Sequence, residues 1–302
     1  MKKGTHEAIN DERNKDVLVY INGEFFRRED AKISVFDSGY LVGDGIWEGI
    51  RLHNGKFSFL DLHLDRLYQG AKAIDLDIGL SKDELKLELK KVIEKNKMFT
   101  DVHLRLMLTR GNKKTPAQDP RLTISPPNIV IIAEHKIADP NVSKNGISLF
   151  TSSTRRPPPQ TLDAKLNCHS KLHEVIALIQ ALKAGADEAL MLDIHGNVAT
   201  CNATNFFIVK DNELITSTGQ HCLNGITRRL VIELCKANNI RVSEKDFSLV
   251  DVYSADEAFV TGTFGSLTPV IEVDGRIIAD GKLGKMTKLL TKLYKQAIEG
   301  LA

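Results

Sequence analysis

Apolar residues in the first half of the chain follow two patterns, one typical of β-strands and one typical of α-helices. Short strand-like segments flank Asn22-Gly23 and Asn54-Gly55, and Asn-Gly is the dipeptide most typical of a tight hairpin turn, so two β-hairpins are predicted. Apolar residues then recur at helical spacing over residues 62–74, and Ser81 with Glu84 after it predicts a capped helix start. With two apolar strands that follow, this half is predicted to be a small α+β domain.

The predicted domain boundaries lie where this pattern changes. Residues 1–16 are polar and are predicted to be frayed or disordered, and residues 17–137 are predicted to form the small N-terminal domain. Residues 138–145 contain turn-forming residues and are predicted to be the interdomain linker. Residues 146–302 remain as a larger C-terminal domain.

Strands and helices follow one another in the predicted C-terminal domain. A strand over residues 146–152 leads to three consecutive prolines, Pro157 to Pro159, which cannot continue a ladder and predict a rigid surface loop. Residues 169–184 then have helical periodicity with one apolar face. That face consists of Leu172, Val175, Ile176, Ile179 and Leu182. Further helices are predicted over residues 226–237 and 283–298.

Composition narrows the classes of function. Of the 302 residues, 42% are hydrophobic and 26% are charged, as in ordinary globular proteins, and a formal net charge of +2 gives no indication of a nucleic acid or a membrane surface as partner. The four cysteines are widely spaced, so a reducing, cytoplasmic compartment is expected. The apolar runs are too short to span a bilayer, and the first lysines precede no apolar segment of the kind found in signal peptides.

Lys165 is the most informative candidate for chemistry. It follows the proline loop and precedes a predicted helix, and three turn signals come after it, at residues 196–200, 224–227 and 262–265. A lysine can form a Schiff base with an aldehyde cofactor, and backbone N–H groups at turns and helix starts can hold the phosphate of that cofactor. Lys171 is the alternative lysine, but it lies in the helical stretch and is expected to be solvated.

Arg66 and the turn at residues 224–228 can each be interpreted in two ways, and the remaining motifs predict no site. Arg66 is either a helix-surface ion pair or a guanidinium that binds a phosphate. The turn at residues 224–228 is either an ordinary helix start or a phosphate site. His169 and His173 have the spacing of two metal ligands on one helix face, but the zinc-protease pattern is absent, and no metal is predicted. Walker, G-x-G-x-x-G and G-x-S-x-G motifs are absent as well.

Taken in chain order, these motifs resemble those of the fold-type IV pyridoxal-phosphate enzymes, the class IV aminotransferases. The resemblance covers about residues 17–297. It rests on the segments Gly43 to Arg51 (Gly-Asp-Gly-Ile-Trp-Glu-Gly-Ile-Arg), Asp65-Arg66-Leu67, Ala164-Lys165, Asn205-Phe206-Phe207, Leu223 to Arg228, Gly262-Thr263 and Leu267-Thr268-Pro269-Val270. The group contains branched-chain aminotransferases, D-amino-acid aminotransferases, (R)-selective amine transaminases and aminodeoxychorismate lyases.

The resemblance implies a fold, a cofactor and a set of roles. The fold would be the D-amino-acid aminotransferase-like fold, with a small α+β domain and a larger domain whose strands and helices form a pseudo-barrel. The cofactor would be pyridoxal 5′-phosphate, with Lys165 as the Schiff-base lysine and the acid–base that moves the substrate proton. The phosphate would be held by Arg66, Ile226, Thr227 and Thr263. The substrate would meet backbone N–H groups of Phe264 and Gly265 and the pocket residues Trp47, Gly49 and Arg51. A homodimer or a larger homo-oligomer is expected.

Three departures from the family pattern mark an atypical subgroup. Thr200 stands where the family usually has a glutamate that pairs with the pyridine nitrogen of the cofactor, so a weaker electron sink is predicted. Thr115 and Ala117 stand where D-amino-acid aminotransferases have an arginine and a histidine that trap the carboxylate, although Lys113 or Lys114 could substitute. Positions that are tyrosines in branched-chain aminotransferases are occupied by Val42, His103 and Ser170, whereas Arg105 matches that group.

The leading hypothesis is an aminotransferase with ping-pong kinetics through pyridoxamine phosphate. The donor would be a branched-chain or related amino acid or an (R)-primary amine, which rank equally, with D-amino acids below them. The acceptor would be a 2-oxo acid such as pyruvate or 2-oxoglutarate. The alternative with the same fold and cofactor is an aminodeoxychorismate lyase. A non-catalytic cofactor-binding protein is a third alternative, motivated by Thr200.

Overall fold

The computed structural model describes residues 4–300 and separates the chain into two units. The N-terminal unit consists of Ile9–Ile137 and Asn167–Ser170, and the C-terminal unit consists of residues 4–8, Ala138–Leu166 and the chain from Lys171 onward. The units are therefore not two consecutive stretches of chain, because each contains a short segment from the other side of the boundary.

One six-stranded antiparallel sheet and three helices form the N-terminal unit. The strand order is β2-β1-β6-β5-β3-β4 once the strands are numbered along the chain. In chain order the elements are β1 (Val19–Ile21), β2 (Glu24–Phe26), α1 (Ser38–Val42), β3 (Gly45–His53), β4 (Lys56–Phe57), α2 (Leu60–Ala73), α3 (Lys82–Lys95), β5 (Val102–Thr109) and β6 (Asn128–His135), with short 3-10 helices at Glu12–Asp16 and Pro120–Leu122. Both predicted hairpins are confirmed, and the capping box of Ser81 and Glu84 is present at the start of α3.

Alternation along β5 gives this sheet two different faces. Leu104, Leu106 and the other even-numbered residues of β5 are buried, whereas His103 and Arg105 are only half-buried. Leu106 lies opposite Glu48 of β3, and Glu48 contacts α2, so the even-numbered face is the one that the helices cover. Because successive side chains of a strand point to opposite faces, the odd-numbered residues of β3 and β5 share the other face.

A nine-stranded sheet with five helices forms the C-terminal unit. Its strand order is β12-β11-β10-β13-β14-β7-β8-β9, and β15 pairs with β14. The elements are α4 (Pro140–Asn145), β7 (Ile147–Thr151), α5 (Leu172–Lys183), β8 (Glu188–Leu192), β9 (Val198–Cys201), β10 (Asn205–Lys210), β11 (Glu213–Thr216), α6 (Ile226–Ala237), β12 (Val242–Glu244), α7 (Leu249–Tyr253), β13 (Glu257–Gly262), β14 (Ser266–Val273), β15 (Arg276–Ile277) and α8 (Lys285–Glu299). The predicted helix over residues 226–237 is confirmed residue for residue.

Strand connectivity curls this sheet into a half-barrel. β9 is at the end of the strand order and β10 is near the other end, yet only residues 202–204 connect them. The turn is held by the Cys201 N–H, which donates to the Thr204 carbonyl at 2.9 Å. A sheet whose distant strands are joined by so short a turn must bend back on itself, and this agrees with the pseudo-barrel that the resemblance implies.

Helix α5 forms where it is predicted, but its apolar face does not enter the core. The five residues Leu172, Val175, Ile176, Ile179 and Leu182 are exposed, with relative accessibilities between 41% and 69%. The side that packs against the sheet is built from Ala177 and Ala181, which contact a small cluster with Ala189 and Met191 of β8. Small residues allow the helix to lie close to the sheet, and they leave the large aliphatic residues on the outside.

The N-terminal segment that is predicted to be frayed makes specific contacts where the structure describes it. Residues 12–16 form the first 3-10 helix, and Thr5 is buried against Glu188 of β8. Residues 1–3 of that prediction lie outside the described residues. Among residues 4–300, no helix has both the length and the apolar composition that crossing a membrane requires.

Candidate active-site residues

Lys165 lies at the end of a loop that is fixed at its start. The loop begins after β7, and Arg156 within it is buried, with Nη1 donating to Glu174 Oε1 at 2.6 Å and the backbone N–H donating to the Leu192 carbonyl at 2.9 Å. The Lys165 N–H donates to Asp163 Oδ1 at 2.9 Å, and the preceding Ala164 is buried. The backbone at Lys165 is therefore held, while its side chain is exposed.

The two candidate lysines differ in what surrounds their ammonium groups. Lys171 precedes α5, and its Nζ lies 3.4 Å from Glu174 Oε1. Lys165 makes no ion pair with any residue in the described range 4–300. Its amine is thus available for a ligand, and the geometry favours Lys165 over Lys171 as the reactive amine.

The start of α6 is an open helix terminus. No side chain caps it, and Gly225 occupies the N-cap position. A β-carbon at Gly225 would overlap Asn205 Oδ1, so only glycine allows the loop to lie this close to β10. Asn205 Nδ2 donates to the Leu223 carbonyl at 2.9 Å and fixes the same loop from the other side. Uncapped N–H groups and the positive end of the helix dipole together favour an anion here.

Within this turn, the backbone rather than the hydroxyl of Thr227 is suited to a phosphate. Ile226 and Thr227 are both buried, and Thr227 Oγ1 lies 3.3 Å from the Tyr294 hydroxyl of α8. The hydroxyl is therefore directed towards α8. The sequence correctly selected these two residues as a helix start, but their roles as phosphate ligands stay predictions.

Thr200 belongs to a buried polar cluster beside that turn. Its hydroxyl donates to the Thr204 carbonyl at 2.8 Å, and Asn205 Nδ2 lies 3.4 Å from the same hydroxyl oxygen. Thr261 of β13, which pairs with Asn205, has a buried hydroxyl without a hydrogen-bond partner in the structure. An orphaned buried hydroxyl is costly, so a polar ligand at this cluster would satisfy a real deficit.

The turn between β13 and β14 carries the other residues predicted to bind phosphate and substrate. Thr263 is half-buried, Phe264 is buried, and Gly265 lies against the N-terminal segment, where a β-carbon would meet the Thr5 carbonyl oxygen at 3.2 Å. Thr268 Oγ1 donates to the Gly265 carbonyl at 3.3 Å. The turn is thus held from both sides, as a turn that presents backbone N–H groups to a ligand needs to be.

These features fit a phosphate-bearing aldehyde. The C-terminal unit offers an amine without an ion-pair partner, an uncapped helix start behind a close-packed glycine, and an orphaned hydroxyl in a polar cluster. The amine would bind an aldehyde carbon, the helix start would bind a phosphate, and the polar cluster would bind a polar ring atom.

Arg66 in the N-terminal unit has a buried acidic partner. Its Nε and Nη2 donate to the two oxygens of Glu48, each at 2.7 Å, and His63 Nδ1 lies 2.7 Å from Glu48 Oε2. Burial alone would raise the pKa of Glu48, but Arg66 and the hydrogen bond with His63 lower it below its usual value. Arg66 therefore pairs with Glu48 of β3 and not with an aspartate of its own helix. Because Glu48 is buried, this ion pair fixes the orientation of the Arg66 guanidinium.

The odd-numbered face of the N-terminal sheet gathers the predicted pocket residues. Register places Gly49 opposite Arg105 and Arg51 opposite His103, with Trp47 at the next odd position. The Arg105 guanidinium stacks on the Trp47 ring, 3.7 Å from its centroid. A β-carbon at Gly49 would meet His103 Cε1 at 3.2 Å, so this glycine keeps the surface open beside Arg105. All five predicted residues therefore share one surface.

Positive charge dominates this surface. Burial lowers the pKa of Arg105, with nearby Glu134 opposing that effect, and Arg105 makes no ion pair within the described residues. Burial also lowers the pKa of Lys136, and Arg105 and Arg51 lower it further. Arg51 Nη1 donates to the Lys136 carbonyl at 2.7 Å. Arg51 and Arg105 thus both act on Lys136, and neighbouring cations of this kind are suited to an anionic ligand.

The remaining predicted positions lie elsewhere or have other partners. Lys113 is buried and its Nζ donates to the Asp119 carbonyl at 3.1 Å, so it does not replace the missing carboxylate trap, whereas Thr115 is exposed. Ser170 Oγ donates to the Gly43 carbonyl at 3.3 Å, and Val42 ends α1. His173 Nε2 lies 3.2 Å from Arg156 Nη1.

Several site residues carry no signal in the sequence. Thr204 binds both Thr200 and Glu188, Glu48 holds Arg66, and Lys136 adds to the cationic surface. Each acts through a partner that is distant in the chain, and only Glu48, inside the Gly43 to Arg51 segment, belongs to a motif that sequence comparison could select.

Comparison with known proteins identifies the family. The model for class IV amino-transferases matches residues 45–273. A putative branched-chain-amino-acid aminotransferase of Methanocaldococcus jannaschii is 41% identical over 278 residues, covering 92% of this chain and 95% of that protein. The branched-chain-amino-acid aminotransferase-like protein 2 of Arabidopsis thaliana is 40% identical over 289 residues, which cover 95% of this chain but 51% of that protein, so the chain spans about half the length of this relative.

A solved structure agrees with this assignment. The branched-chain amino acid aminotransferase of T.th., in complex with N-(5′-phosphopyridoxyl)-L-glutamate, superposes with a TM-score of 0.87 at 30% sequence identity, covering 95% of this chain and 96% of the other. The motif order, the half-barrel sheet and the family match all point the same way, and the chain belongs to the class IV aminotransferases.

Proposed function

We propose that this protein is a pyridoxal 5′-phosphate-dependent aminotransferase that moves an amino group from an amino acid to a 2-oxo acid. The observation that carries the proposal is the combination of Lys165, an exposed amine without an ion-pair partner, with the uncapped start of α6. The phosphopyridoxyl ligand named for the T.th. relative supports the choice of cofactor.

Each candidate residue has a defined task in this proposal. Lys165 holds the aldehyde carbon of the cofactor and moves the proton of the substrate carbon. The backbone N–H groups of Ile226 and Thr227, together with Thr263, hold the phosphate, and Thr200 faces the ring nitrogen. When bound, the cofactor supplies an electron sink for the substrate carbon and a carrier for the amino group.

The charge on the odd-numbered sheet face favours substrates with a carboxylate. Backbone N–H groups of Phe264 and Gly265 bind the carboxylate next to the reacting carbon, and Arg105 with Arg51 binds a second carboxylate. The second carboxylate of an acceptor such as 2-oxoglutarate gives the cationic surface a partner that pyruvate lacks. The Trp47 ring and the open surface at Gly49 accept the aliphatic side chain of a branched-chain donor. A primary amine without a carboxylate would leave the cationic surface unused, so we rank amino acids above (R)-amines as donors.

A donor panel tests the proposed function. We expect L-leucine, mixed with the cofactor-loaded protein without acceptor, to convert the absorbance of the cofactor to that of the pyridoxamine form, and 2-oxoglutarate to restore it. D-alanine and both enantiomers of 1-phenylethylamine complete the panel, and pyruvate is the second acceptor. A lyase that acts on aminodeoxychorismate would release pyruvate from that substrate without this conversion. Absence of conversion with every donor would contradict the proposal.

The exposed face of α5 supports a homodimer or a larger homo-oligomer. A solvent-facing helix side normally carries polar residues, but here five aliphatic side chains form a continuous stripe with Lys183 at its end. Two copies of such a stripe are complementary to each other across a two-fold axis, so a second copy of this chain is the occupant we propose. The four cysteines are buried and unpaired, which supports work in a reducing compartment such as the cytoplasm.

Replacing Ile179 with aspartate is expected to dissociate this assembly. The substitution places a charge at the centre of the stripe, where burying it against another copy would be costly. Sedimentation equilibrium should then give the mass of a single chain for Ile179→Asp and a multiple of it for the wild type. Leu87→Asp, at an exposed leucine of α3, is the control and should leave the mass unchanged. An unchanged mass for Ile179→Asp would remove α5 as the interface.

A further inference from the structure

A buried carboxylate, Glu188 of β8, binds the hydroxyl of Thr204, and the carbonyl of Thr204 binds Thr200. Glu188 is 3% exposed, and among residues 4–300 no lysine, arginine or histidine forms an ion pair with it. Buried charges in proteins are normally paired, because neutral hydrogen bonds alone compensate poorly for lost hydration. Residues 4–300 therefore leave the charge of Glu188 without a positive side chain to pair with.

Three donors converge on this carboxylate. Oε1 accepts from the N–H of Thr5 at 2.9 Å and from the Thr5 hydroxyl, and Oε2 accepts from the Thr204 hydroxyl at 3.1 Å. The N-terminal segment thus closes one side of the carboxylate, and Thr204 connects its other side to the Thr200 cluster.

The hydroxyl of Thr200 can only accept a hydrogen bond from a ligand. It has one proton, and that proton is donated to the Thr204 carbonyl at 2.8 Å. The same carbonyl also accepts from the Cys201 N–H at 2.9 Å, so both of its lone pairs are used and it holds the Thr200 proton in place. What remains on Thr200 Oγ1 for a ligand is a lone pair, which fits an N–H group and not a bare ring nitrogen.

The negative charge of Glu188 reaches the strand that carries Thr200. Burial raises the pKa of the Cys201 thiol well above its usual value, and the Glu188 carboxylate raises it further. Cys201 follows Thr200 in β9 and its side chain points to the other face of the strand, so the charge of Glu188 would act on a positive group beside Thr200 across the strand.

We propose that Glu188 replaces the missing glutamate at a distance, by stabilising the protonated ring nitrogen of the cofactor through Thr204 and Thr200. Thr200 Oγ1 accepts the hydrogen bond of the ring N–H, and Glu188 is a positioning residue that supplies the compensating charge. This inference rests on the proposed function, because it requires pyridoxal phosphate with its ring nitrogen facing Thr200. It also assigns a role to Thr5, which holds the carboxylate from the N-terminal segment.

The test measures the protonation of the ring nitrogen directly. Protein loaded with pyridoxal phosphate carrying ¹⁵N in the ring is titrated with pH while the ¹⁵N chemical shift is recorded. We expect a protonated ring nitrogen at neutral pH in the wild type. In Glu188→Gln the pKa of that nitrogen should fall by about one unit, because a gained or lost opposite charge nearby changes a pKa by about that much or more. Gln preserves the shape of the side chain and removes its charge, and the Thr204 hydroxyl can rotate to accept from the amide NH₂ that replaces Oε2.

Further variants distinguish the effect of the Glu188 charge on the ring nitrogen from a general loss of folded structure. Thr204→Val removes the hydroxyl that stabilises the charge of Glu188 and keeps the Thr204 carbonyl that binds Thr200, so it should lower the same pKa by a smaller amount, while Thr204→Ser should restore it. Adding Thr200→Glu to Glu188→Gln places a carboxylate beside the ring nitrogen and should restore the protonated form. Glu257→Gln is the matched control, since Glu257 is another carboxylate of the same sheet that accepts from the Met286 and Thr287 N–H groups of α8, each at 2.8 Å.

The possible outcomes distinguish the two proposals. A wild type that forms no covalent bond between Lys165 and the cofactor contradicts the proposed function. A wild type that forms this bond with an unprotonated ring nitrogen overturns the inference alone. So does a nitrogen pKa that is the same in the wild type, Glu188→Gln and Thr204→Val. If Glu188→Gln does not fold, the pair Thr204→Val and Thr204→Ser decides the question, because both variants keep the carboxylate.

Discussion

Replacing Lys165 with alanine is expected to abolish amino transfer. The proposed role combines the covalent attachment of the cofactor with proton transfer at the substrate carbon, and general acid–base catalysis alone typically contributes about 10²–10⁴-fold. We therefore expect the single-turnover rate with L-leucine to fall at least by that factor. Rapid-mixing absorbance of the cofactor measures it, and the variant should still bind the cofactor through its phosphate, because the start of α6 is unchanged.

Lys171→Ala is the matched control for this experiment. Lys171 is close in the chain and carries the same amine, but its Nζ is near Glu174 and therefore already has an acidic partner. We expect Lys171→Ala to keep the activity within a few fold of the wild type. Borohydride reduction followed by peptide mapping should place the label on Lys165 in the wild type. A label on Lys171, or full activity in Lys165→Ala, would show that the reactive lysine has been assigned incorrectly.

Local signals explain why so many elements could be predicted from the sequence. At the first hairpin, Asn22 and Gly23 have positive φ angles of 51° and 97°, which Asn and Gly adopt most readily. The capping box of Ser81 and Glu84 and the helix Ile226–Ala237 are equally local, because each depends on contacts within a few residues. The short helix α1 gave no such signal, since five residues are too few to show helical periodicity.

Features that depend on distant parts of the chain give no such local signal in the sequence. The periodicity of α5 is correct, but a repeat of apolar residues does not show whether they meet the sheet or another molecule, and here Ala177 and Ala181 meet the sheet. The N-terminal segment is mostly polar and its Ile9 is exposed, yet one carboxylate, Glu188, binds Thr5 across 183 positions of the chain.

The candidate site shows the same division. Lys165 and the α6 turn could be selected because the chemistry of a Schiff base and of a phosphate each needs a recognisable local feature. The partner of Arg66 could not be selected, because Glu48 reaches it from a strand 18 positions earlier. The cationic surface around Arg105 likewise becomes visible only after the register of β3 and β5 places Arg51 and Arg105 on one face.

Replacing Arg105 with methionine is expected to remove the preference for an acceptor with two carboxylates. A hydrogen bond to a charged group is worth about 1.5–3 kcal/mol, so the KM for 2-oxoglutarate should rise roughly tenfold to a hundredfold. The kcat should change little, and the KM for pyruvate, which has no second carboxylate, should stay within a few fold. Steady-state kinetics with both acceptors measures these values.

The control for Arg105 must carry the same charge without facing the cationic surface. Arg28 is exposed shortly after β2, so Arg28→Met removes one positive charge from the same unit and should leave both KM values unchanged. Methionine keeps most of the length of arginine and can still lie on the Trp47 ring, so a selective loss for 2-oxoglutarate would report the charge rather than lost packing. Equal losses for 2-oxoglutarate and pyruvate would instead mean that Arg105 shapes the surface without recognising the second carboxylate. The acceptor would then have to be sought among monocarboxylic 2-oxo acids.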